Sequence, residues 1–143
     1  MPKRLEDYQD DPNIRDPERL IRRVPPWLIV MDKNLGGYRA SSQHFRTPLL
    51  SVYLEGHLQP NGLILADTVD GHEGYSAVAM TAEVARRERQ KVVHEPNEEP
   101  PRHRCDRAHG LVVGIKPSKV GRRLAKASPM ILLGDLSQAR IEG

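Results

Sequence analysis

The apolar residues of this chain come in short runs, and the length of those runs limits the folds open to it. The clearest are "WLIVM" (27–31), "LLSVYLEG" (49–56), "YSAVAM" (75–80), "GLVVGI" (110–115) and "MILLGD" (130–135). Apolar runs of four to eight residues are typical of buried strands, whereas amphipathic helices need a longer pattern with a 3.6-residue period. No run approaches the roughly 20 residues of a membrane-spanning helix. The sequence therefore predicts a domain built around a sheet.

Two segments carry helix signals. "TAEVARRERQ" (81–90) begins with Thr81, a good N-cap, and ends with arginines, which the helix dipole favours in a last turn. "PSKVGRRLAKAS" (117–128) has Ser118 as its predicted N-cap and an apolar face of Val120, Leu124 and Ala127. Alternating strands and helices predict an α+β (or α/β) fold, with a single small mixed sheet of about five strands and two to three helices.

The length of 143 residues predicts one domain. We expect residues 1–18 to be a flexible N-terminal arm, because they combine three prolines with many charges. Residues 19–136 form the predicted globular domain, and 137–143 a frayed tail. The polar N-terminus has no apolar signal-peptide core, and a single cysteine allows no internal disulfide. These features predict a cytoplasmic protein without a membrane partner.

A basic stretch follows an acidic, proline-bearing one. Between 101 and 127 the chain has eight basic side chains against one acidic side chain, although its net charge is only +3. Such a local excess attracts polyanions. The first hypothesis is thus a binding module that contacts nucleic-acid backbone through 102–126, with little base readout because aromatic residues are scarce. The predicted anion-binding residues are Arg102, Arg104, Arg107, His109, Lys116, Ser118, Lys119, Arg122, Arg123 and Lys126.

Two other functions fit the same stretch. The strand-turn-helix at 110–127 offers a helix N-terminus to a phosphate, but "GIKPSK" lacks the spacing of a nucleotide-hydrolysing P-loop. The alternative is a small enzyme acting on a nucleotide or NAD-type substrate, with His109 as acid/base and arginines holding the anion. A third possibility is a protein-assembly component, in which acidic 95–99 of another copy or a partner's acidic face meets the basic stretch. No cofactor is predicted.

The segment "HEPNEEPPRHRCDRAHG" (94–110) contains histidine and cysteine, which are common zinc ligands in proteins. His94, His103, Cys105 and His109 have the ligand types of a tetrahedral site, but the spacing of His103 and Cys105 is too short for a zinc knuckle, and nearby arginines repel a cation. Cys105 is also a candidate nucleophile, with His103 or His109 as its base. Metal and thiol chemistry are therefore minority hypotheses.

Two resemblances come from particular residues. "RLIRRVPP" and "LGGYRASSQHF" place Arg22 and Arg23 before a glycine-serine segment, which resembles ADP-ribosyltransferase-type folds. That resemblance implies an arginine or histidine and a serine strand around a nicotinamide dinucleotide, with Glu83 or Glu73 polarising the ribose. "LIRRVPPWLIVMDKNLGGYRASSQHF" and "AHGLVVGIKPSKVGRRLAKAS" resemble small bacterial proteins with no assigned activity, so this second resemblance transfers no functional residue.

Overall fold

Nine strands and two α-helices are present in residues 3–96 and 103–142, which the computed structural model describes. The helices are α1 (Ala82–Arg87) and α2 (Ser118–Lys126). The strands are β1 (Arg19–Val24), β2 (Ile29–Asp32), β3 (Gly37–Ala40), β4 (Leu49–Leu54), β5 (Ser76–Thr81), β6 (Lys91–His94), β7 (His109–Val113), β8 (Met130–Leu132) and β9 (Arg140–Glu142).

The strands form two sheets. The larger is antiparallel throughout, with the order β6-β7-β4-β1-β5-β8. The smaller has the order β3-β2-β9, in which β2 pairs antiparallel with β3 and parallel with β9. The α+β class is confirmed, but the single sheet of about five strands is not. The extra strands include "GYRA" and "RIE", which are short and polar and so carry no apolar run to mark them.

Strand β4 illustrates how the large sheet separates two faces. Leu50, Val52 and Leu54 belong to the main core, which also holds Leu124 of α2. Because side chains alternate along a strand, Ser51 and Tyr53 point to the opposite face. The main core with α2 thus lies on one face of β4, while on the other face Tyr53 joins a smaller apolar cluster and Ser51 is exposed.

The helix starts are partly as predicted. Thr81 is confirmed as the N-cap of α1, since its hydroxyl oxygen accepts a hydrogen bond from the amide of Val84. Ser118 is instead the first residue within α2, and Pro117 precedes it without a side-chain capping bond. Gly121 lies where α2 crosses a 3-10 turn, Ser42–Phe45, and a Cβ there would sit 3.2 Å from the Ser42 carbonyl oxygen. The glycine thus allows the helix to approach that turn closely.

Both predicted mobile ends pack onto the domain over their described parts. In the expected arm, Tyr8 and Ile14 are buried, and Arg86 of α1 donates to the Asp16 carboxylate at 2.7 Å. In the expected frayed tail, β9 pairs with β2, and Glu142 lies 2.8 Å from the guanidinium of Arg39. A few apolar anchors and ion pairs hold these segments, although their composition is polar. None of the helices in the described ranges has the length and apolar character needed to span a membrane.

Candidate active site

The large sheet opens between β1 and β4. Their pairing covers only Leu20 with Leu54 and Ile21 with Tyr53. Beyond these pairs the side chain of Arg22 bridges the gap, with Nη1 donating to the Ser51 carbonyl at 2.9 Å and Nε donating to the His44 carbonyl at 3.0 Å. The two strands therefore diverge around a guanidinium, and a cleft opens at this point.

The cleft has a volume of about 520 Å³, within the range of small-molecule sites. Four of the chain's six histidines line it, together with two adjacent arginines, two tyrosines and one exposed serine. Its walls come from β1, the turn after β3, β4, the loop before β5 and the segment leading into β7. The lining residues are Ile21, Arg22, Arg23, Pro25, His44, Ser51, Val52, Tyr53, His72, Tyr75, His103, Asp106 and His109.

The arginines give the cleft positive charge, and the described residues supply no ion-pair partner for either of them. Neither Arg22 nor Arg23 forms an ion pair with a carboxylate of residues 3–96 or 103–142. Burial, reinforced by the charge of Arg23, lowers the pKa of Arg22 to about 10. Arg23 itself lies over the ring of Tyr53, 5.3 Å from its centroid. A buried cation without a counter-charge is costly, so an anion entering the cleft is stabilised there.

His44 supports these arginines. A carbonyl oxygen can only accept, so the Nε2 hydrogen of His44 is donated to the carbonyl of Arg23, and Nδ1 faces Nη2 of Arg22 at 3.4 Å. Burial and the nearby charge of Arg22 lower the pKa of His44 to about 4. The imidazole is therefore neutral near pH 7 and holds the end of β1 in place.

His103 is likewise engaged at both ring nitrogens. Its Nε2 donates to the carbonyl of Asp70 at 2.9 Å, and its Nδ1 accepts from the amide of Cys105 at 3.1 Å. The ring stacks on Tyr53 with centroids 5.7 Å apart. His103 therefore forms part of the cleft wall, with no ring nitrogen left to act on a ligand.

His109 is held differently, because one of its partners is a hydroxyl. Its Nδ1 lies 2.8 Å from the carbonyl oxygen of Glu95, so that nitrogen carries the hydrogen. Its Nε2 then presents a lone pair to the hydroxyl of Ser51, 3.1 Å away. Ser51 is exposed on β4. The pair thus joins a basic nitrogen to an accessible hydroxyl at the mouth of the cleft.

His72 is the fourth histidine of the cleft. No hydrogen bond joins its ring to any residue in the described part of the chain, and it packs against Tyr75 with ring centroids 4.8 Å apart. Burial lowers the pKa of His72, and the charges of Arg23 and His103 act in the same direction. Unlike His44 and His103, it has ring nitrogens that can bind or protonate a ligand.

The structure does not gather the described members of the predicted anion-binding set into one site, and of these members only His109 lines the cleft. Lys116 is 4% exposed, and its ammonium donates to the carbonyls of Pro48, Val112 and Gly114 at 2.8–3.2 Å. Burial lowers its pKa to about 8. This amine is thus occupied by backbone carbonyls inside the protein, and its role in anion binding stays a prediction.

The other members of that set are divided between ion pairs and solvent. Arg104 pairs with Asp67 and Asp70, and Arg123 pairs with Glu88. Helix α2 packs on the face of the sheet that carries Leu50 and Val52, opposite to the face of Tyr53 and His109. Arg107, Ser118, Lys119, Arg122 and Lys126 are exposed, and Arg102 lies outside the described residues.

The four metal candidates do not converge as ligands. His94 stacks on His57 with ring centroids 4.1 Å apart, and its Nε2 donates to the Arg107 carbonyl. Within the ranges that the structure covers, no group of three or more histidine, cysteine or acidic side chains is placed to hold a metal ion. Cys105 is fully buried, and burial together with Asp67 raises its pKa to about 11. A thiolate nucleophile at Cys105 is therefore disfavoured.

The ADP-ribosyltransferase-type arrangement is met only in part. Arg22, Arg23 and His44 line the cleft, whereas the glycine-serine segment before His44 does not. Glu83 is ion-paired with Arg87 on α1, and neither it nor the exposed Glu73 is among the lining residues. The residues Gly36, Gly37, Tyr38, Arg39, Ser41 and Ser42 lie outside the lining.

Sequence reasoning missed Ser51, Tyr53, His72, Tyr75 and Asp106 as cleft residues. One signal was available, because "LLSVYL" places polar groups at alternate positions of an otherwise apolar strand. Alternation of this kind puts Ser51 and Tyr53 on one face, opposite to Leu50 and Val52. The contributions of His72 and Tyr75 depend on long-range packing and have no local signal.

Comparison with known proteins gives no relative on which to rest a function. No protein-family model matches the chain, and no curated protein or solved structure matches it. The resemblance to small bacterial proteins without an assigned activity accords with this result, although a bacterial origin stays a prediction. The cleft itself is therefore the basis for the functional argument.

Proposed function

We propose that this chain is a small enzyme that binds a phosphate group of a nucleotide-type substrate in the cleft and cleaves a phosphorus–oxygen bond there. The observation that carries the proposal is that two kinds of group line one cleft. Arg22 and Arg23 are positively charged and have no ion-pair partner among the described residues. Ser51 and His109 are hydrogen-bonded to each other. One pair accounts for binding an anion, and the other for moving a proton.

Phosphate fits the arginines better than a carboxylate does. Guanidinium groups bind phosphate oxygens through paired hydrogen bonds, and two adjacent arginines match its charge of more than one. The aromatic rings of Tyr75 and His72 line the same cleft and are only partly buried, so they offer surfaces for a base to stack on. The combination favours a nucleotide over an inorganic anion.

The proton-transfer role belongs to His109. Its Nε2 has a lone pair, and its Nδ1 hydrogen is fixed on the carbonyl of Glu95. An imidazole held in this tautomer is suited to accept the proton of the hydroxyl that faces its lone pair. His72 lines the same cleft, and its ring nitrogens have no hydrogen bond to the described residues, so we assign it as the second acid/base. The cleft lowers its pKa, and the negative charge of a bound phosphate opposes that shift and favours the protonated ring that the leaving oxygen requires.

Nucleic-acid backbone binding through 102–126 is the competing function, and its support is the exposed basic face of α2. Lys119, Arg122 and Lys126 are exposed there. However, Arg104 and Arg123 are ion-paired and Lys116 is buried, so the positive charge available to a polyanion is smaller than the sequence predicts. The cleft is therefore the stronger basis for a function.

A thermal-shift panel distinguishes the two functions. The protein is heated with inorganic phosphate, AMP, ADP, ATP, NAD, or single- and double-stranded oligonucleotides, each at ~50 mM and ~300 mM salt. A ligand present at about 100 times its dissociation constant stabilises by about 2.7 kcal/mol, which corresponds to a Tm increase of roughly 5–10 °C for a domain of this size.

The proposal expects such an increase with a mononucleotide and a much smaller one with oligonucleotides. Hydrolysis of the best ligand is then followed by phosphate release or chromatography. Binding of oligonucleotides alone, abolished by Arg122→Gln with Lys126→Gln, would favour the backbone-binding function and count against the cleft.

A further inference from the structure

We propose that Ser51 is the nucleophile of this site, attacking the phosphorus of the bound substrate to form a transient phosphoserine-type ester. This inference rests on the proposed function, because it assigns a role within the same cleft. It goes further by naming a covalent mechanism. In this mechanism the general base His109 first takes a proton from a protein hydroxyl instead of from water.

The geometry around Ser51 is that of an activated hydroxyl. Nε2 of His109 lies 3.1 Å from Oγ of Ser51, within the reach required for proton transfer. The carbonyl oxygen of Glu95 accepts the Nδ1 hydrogen of the same ring at 2.8 Å. A nucleophile, a base and a third group that orients the base are the parts that nucleophilic catalysis needs.

The position of Ser51 on β4 also suits attack on a bound anion. Its side chain is exposed at the cleft, while its neighbours Leu50 and Val52 are buried in the core and hold the strand rigid. The backbone carbonyl of Ser51 accepts from Nη1 of Arg22 at 2.9 Å, so a guanidinium is held at the residue that carries the hydroxyl. Positive charge at this point stabilises the negative charge of the transferring phosphoryl group.

The reaction then takes two balanced steps. In the first, Oγ of Ser51 forms a bond to phosphorus, its proton moves to Nε2 of His109, and the bond from phosphorus to the leaving oxygen breaks as His72 protonates that oxygen. In the second, water attacks phosphorus and loses a proton to His72, while the bond from phosphorus to Oγ of Ser51 breaks. His109 returns its proton to that Oγ, which restores the starting state of the site.

A different role for the same hydrogen bond makes distinct predictions. Ser51 could hold the ring of His109 in position while a water or a substrate hydroxyl attacks phosphorus directly. In that case Ser51 is a positioning residue and forms no covalent bond. Reactivity of its hydroxyl and the steric course at phosphorus separate the two roles.

The first experiment is labelling with a fluorophosphonate, a phosphorus electrophile that modifies only activated hydroxyls. Displacement of fluoride by Oγ of Ser51 adds the phosphonyl group, which intact-mass measurement and peptide mapping detect. We expect labelling at Ser51, its loss in Ser51→Ala, and a rate at least ~100-fold lower in His109→Gln, the size of a general-base contribution. Ser137 is exposed and has no histidine partner, so Ser137→Ala is the matched control and keeps the wild-type rate.

The second measurement separates this inference from the proposed function. Ser51→Ala keeps both arginines, so its Tm increase with the best mononucleotide should equal that of the wild type. A substrate with a chiral phosphorothioate should be hydrolysed with retention at phosphorus, because two inversions occur.

The outcomes assign each failure to one idea. No labelling at Ser51, an unchanged rate in His109→Gln, or inversion at phosphorus overturns the nucleophile and leaves the nucleotide-binding cleft standing. Labelling at Ser51 without any nucleotide-dependent Tm increase in wild type or Ser51→Ala overturns the nucleotide function and leaves Ser51 standing as an activated nucleophile.

Discussion

Replacing Arg22 with glutamine removes the buried charge of the cleft and keeps a hydrogen-bond donor. In the wild type, the guanidinium donates to the carbonyls of His44 and Ser51. Glutamine is shorter but can reach one of these carbonyls through its amide. The substitution therefore tests the charge of Arg22 more than its packing.

The size of the effect follows from the pKa of Arg22. Burial and the charge of Arg23 lower that pKa from 12.5 to about 10, which corresponds to a cost of about 3 kcal/mol for holding the charge in the unliganded protein. A bound phosphate offsets this cost by pairing with the guanidinium. Arg22→Gln should therefore weaken mononucleotide binding by on the order of 100-fold, since 1.4 kcal/mol is tenfold in affinity.

Without a ligand, Arg22→Gln should unfold with nearly the same free energy as the wild type. Loss of the buried charge offsets loss of one hydrogen bond, which is worth about 1 kcal/mol, so the free energy of unfolding should not fall by more than that. Binding is measured by titration calorimetry and stability by urea unfolding, with Arg122→Gln on the exposed face of α2 as the matched control. A loss of affinity below about 3-fold in Arg22→Gln, or an equal loss in Arg122→Gln, would refute the reasoning.

Three further predictions concern groups around the cleft and in the small sheet. Folding lowers the pKa of His44 from 6.5 to about 4, so the unfolded chain binds the proton more readily. The free energy of unfolding should therefore fall by about 3 kcal/mol as the pH falls from 6.5 to 4. Urea unfolding of His44→Gln should show a smaller fall over the same pH range. Arg39→Met leaves the carboxylate of Asp32 buried without its partner at 2.7 Å and should cost about 3–5 kcal/mol, whereas Arg140→Met on exposed β9 should cost below ~0.5 kcal/mol in the same assay. Cys105 is fully buried with a pKa raised to about 11, so iodoacetamide should modify it only after unfolding, as followed by mass spectrometry.

The strands that carry apolar runs were predictable, and those that carry none were not. "LLSVYL" and "GLVVGI" correspond to β4 and β7, and Thr81 begins a helix as its side chain and position predict. Strand β9 has the sequence "RIE" and forms because β2 offers it an open edge and Arg39 offers Glu142 a partner. Both conditions depend on residues about a hundred positions away, which no local pattern contains.

The candidate site was less predictable than the fold because its residues come from five separate segments. The sequence predicted an anion-binding site in 102–126, where basic residues lie close together in the chain. The cleft instead depends on where β1 and β4 stop pairing, and Ser51 and His109 meet only because β4 and β7 are neighbours in the sheet. Among the described residues, His109 is the predicted anion-binding residue that lies in the cleft, and His103 is there as part of the wall.

The four histidines of the cleft do not form a metal site because most of their ring nitrogens are already hydrogen-bonded to the protein. Metal ligation requires a free lone pair on each ring, directed at one point. His44 and His103 use both of their nitrogens on the protein, and the free lone pair of His109 is directed at Ser51. Only the ring of His72 is uncommitted to the described residues. The cleft therefore contains two histidines that maintain its shape and two that can transfer protons, and that division favours acid–base chemistry on an anion held by the arginines.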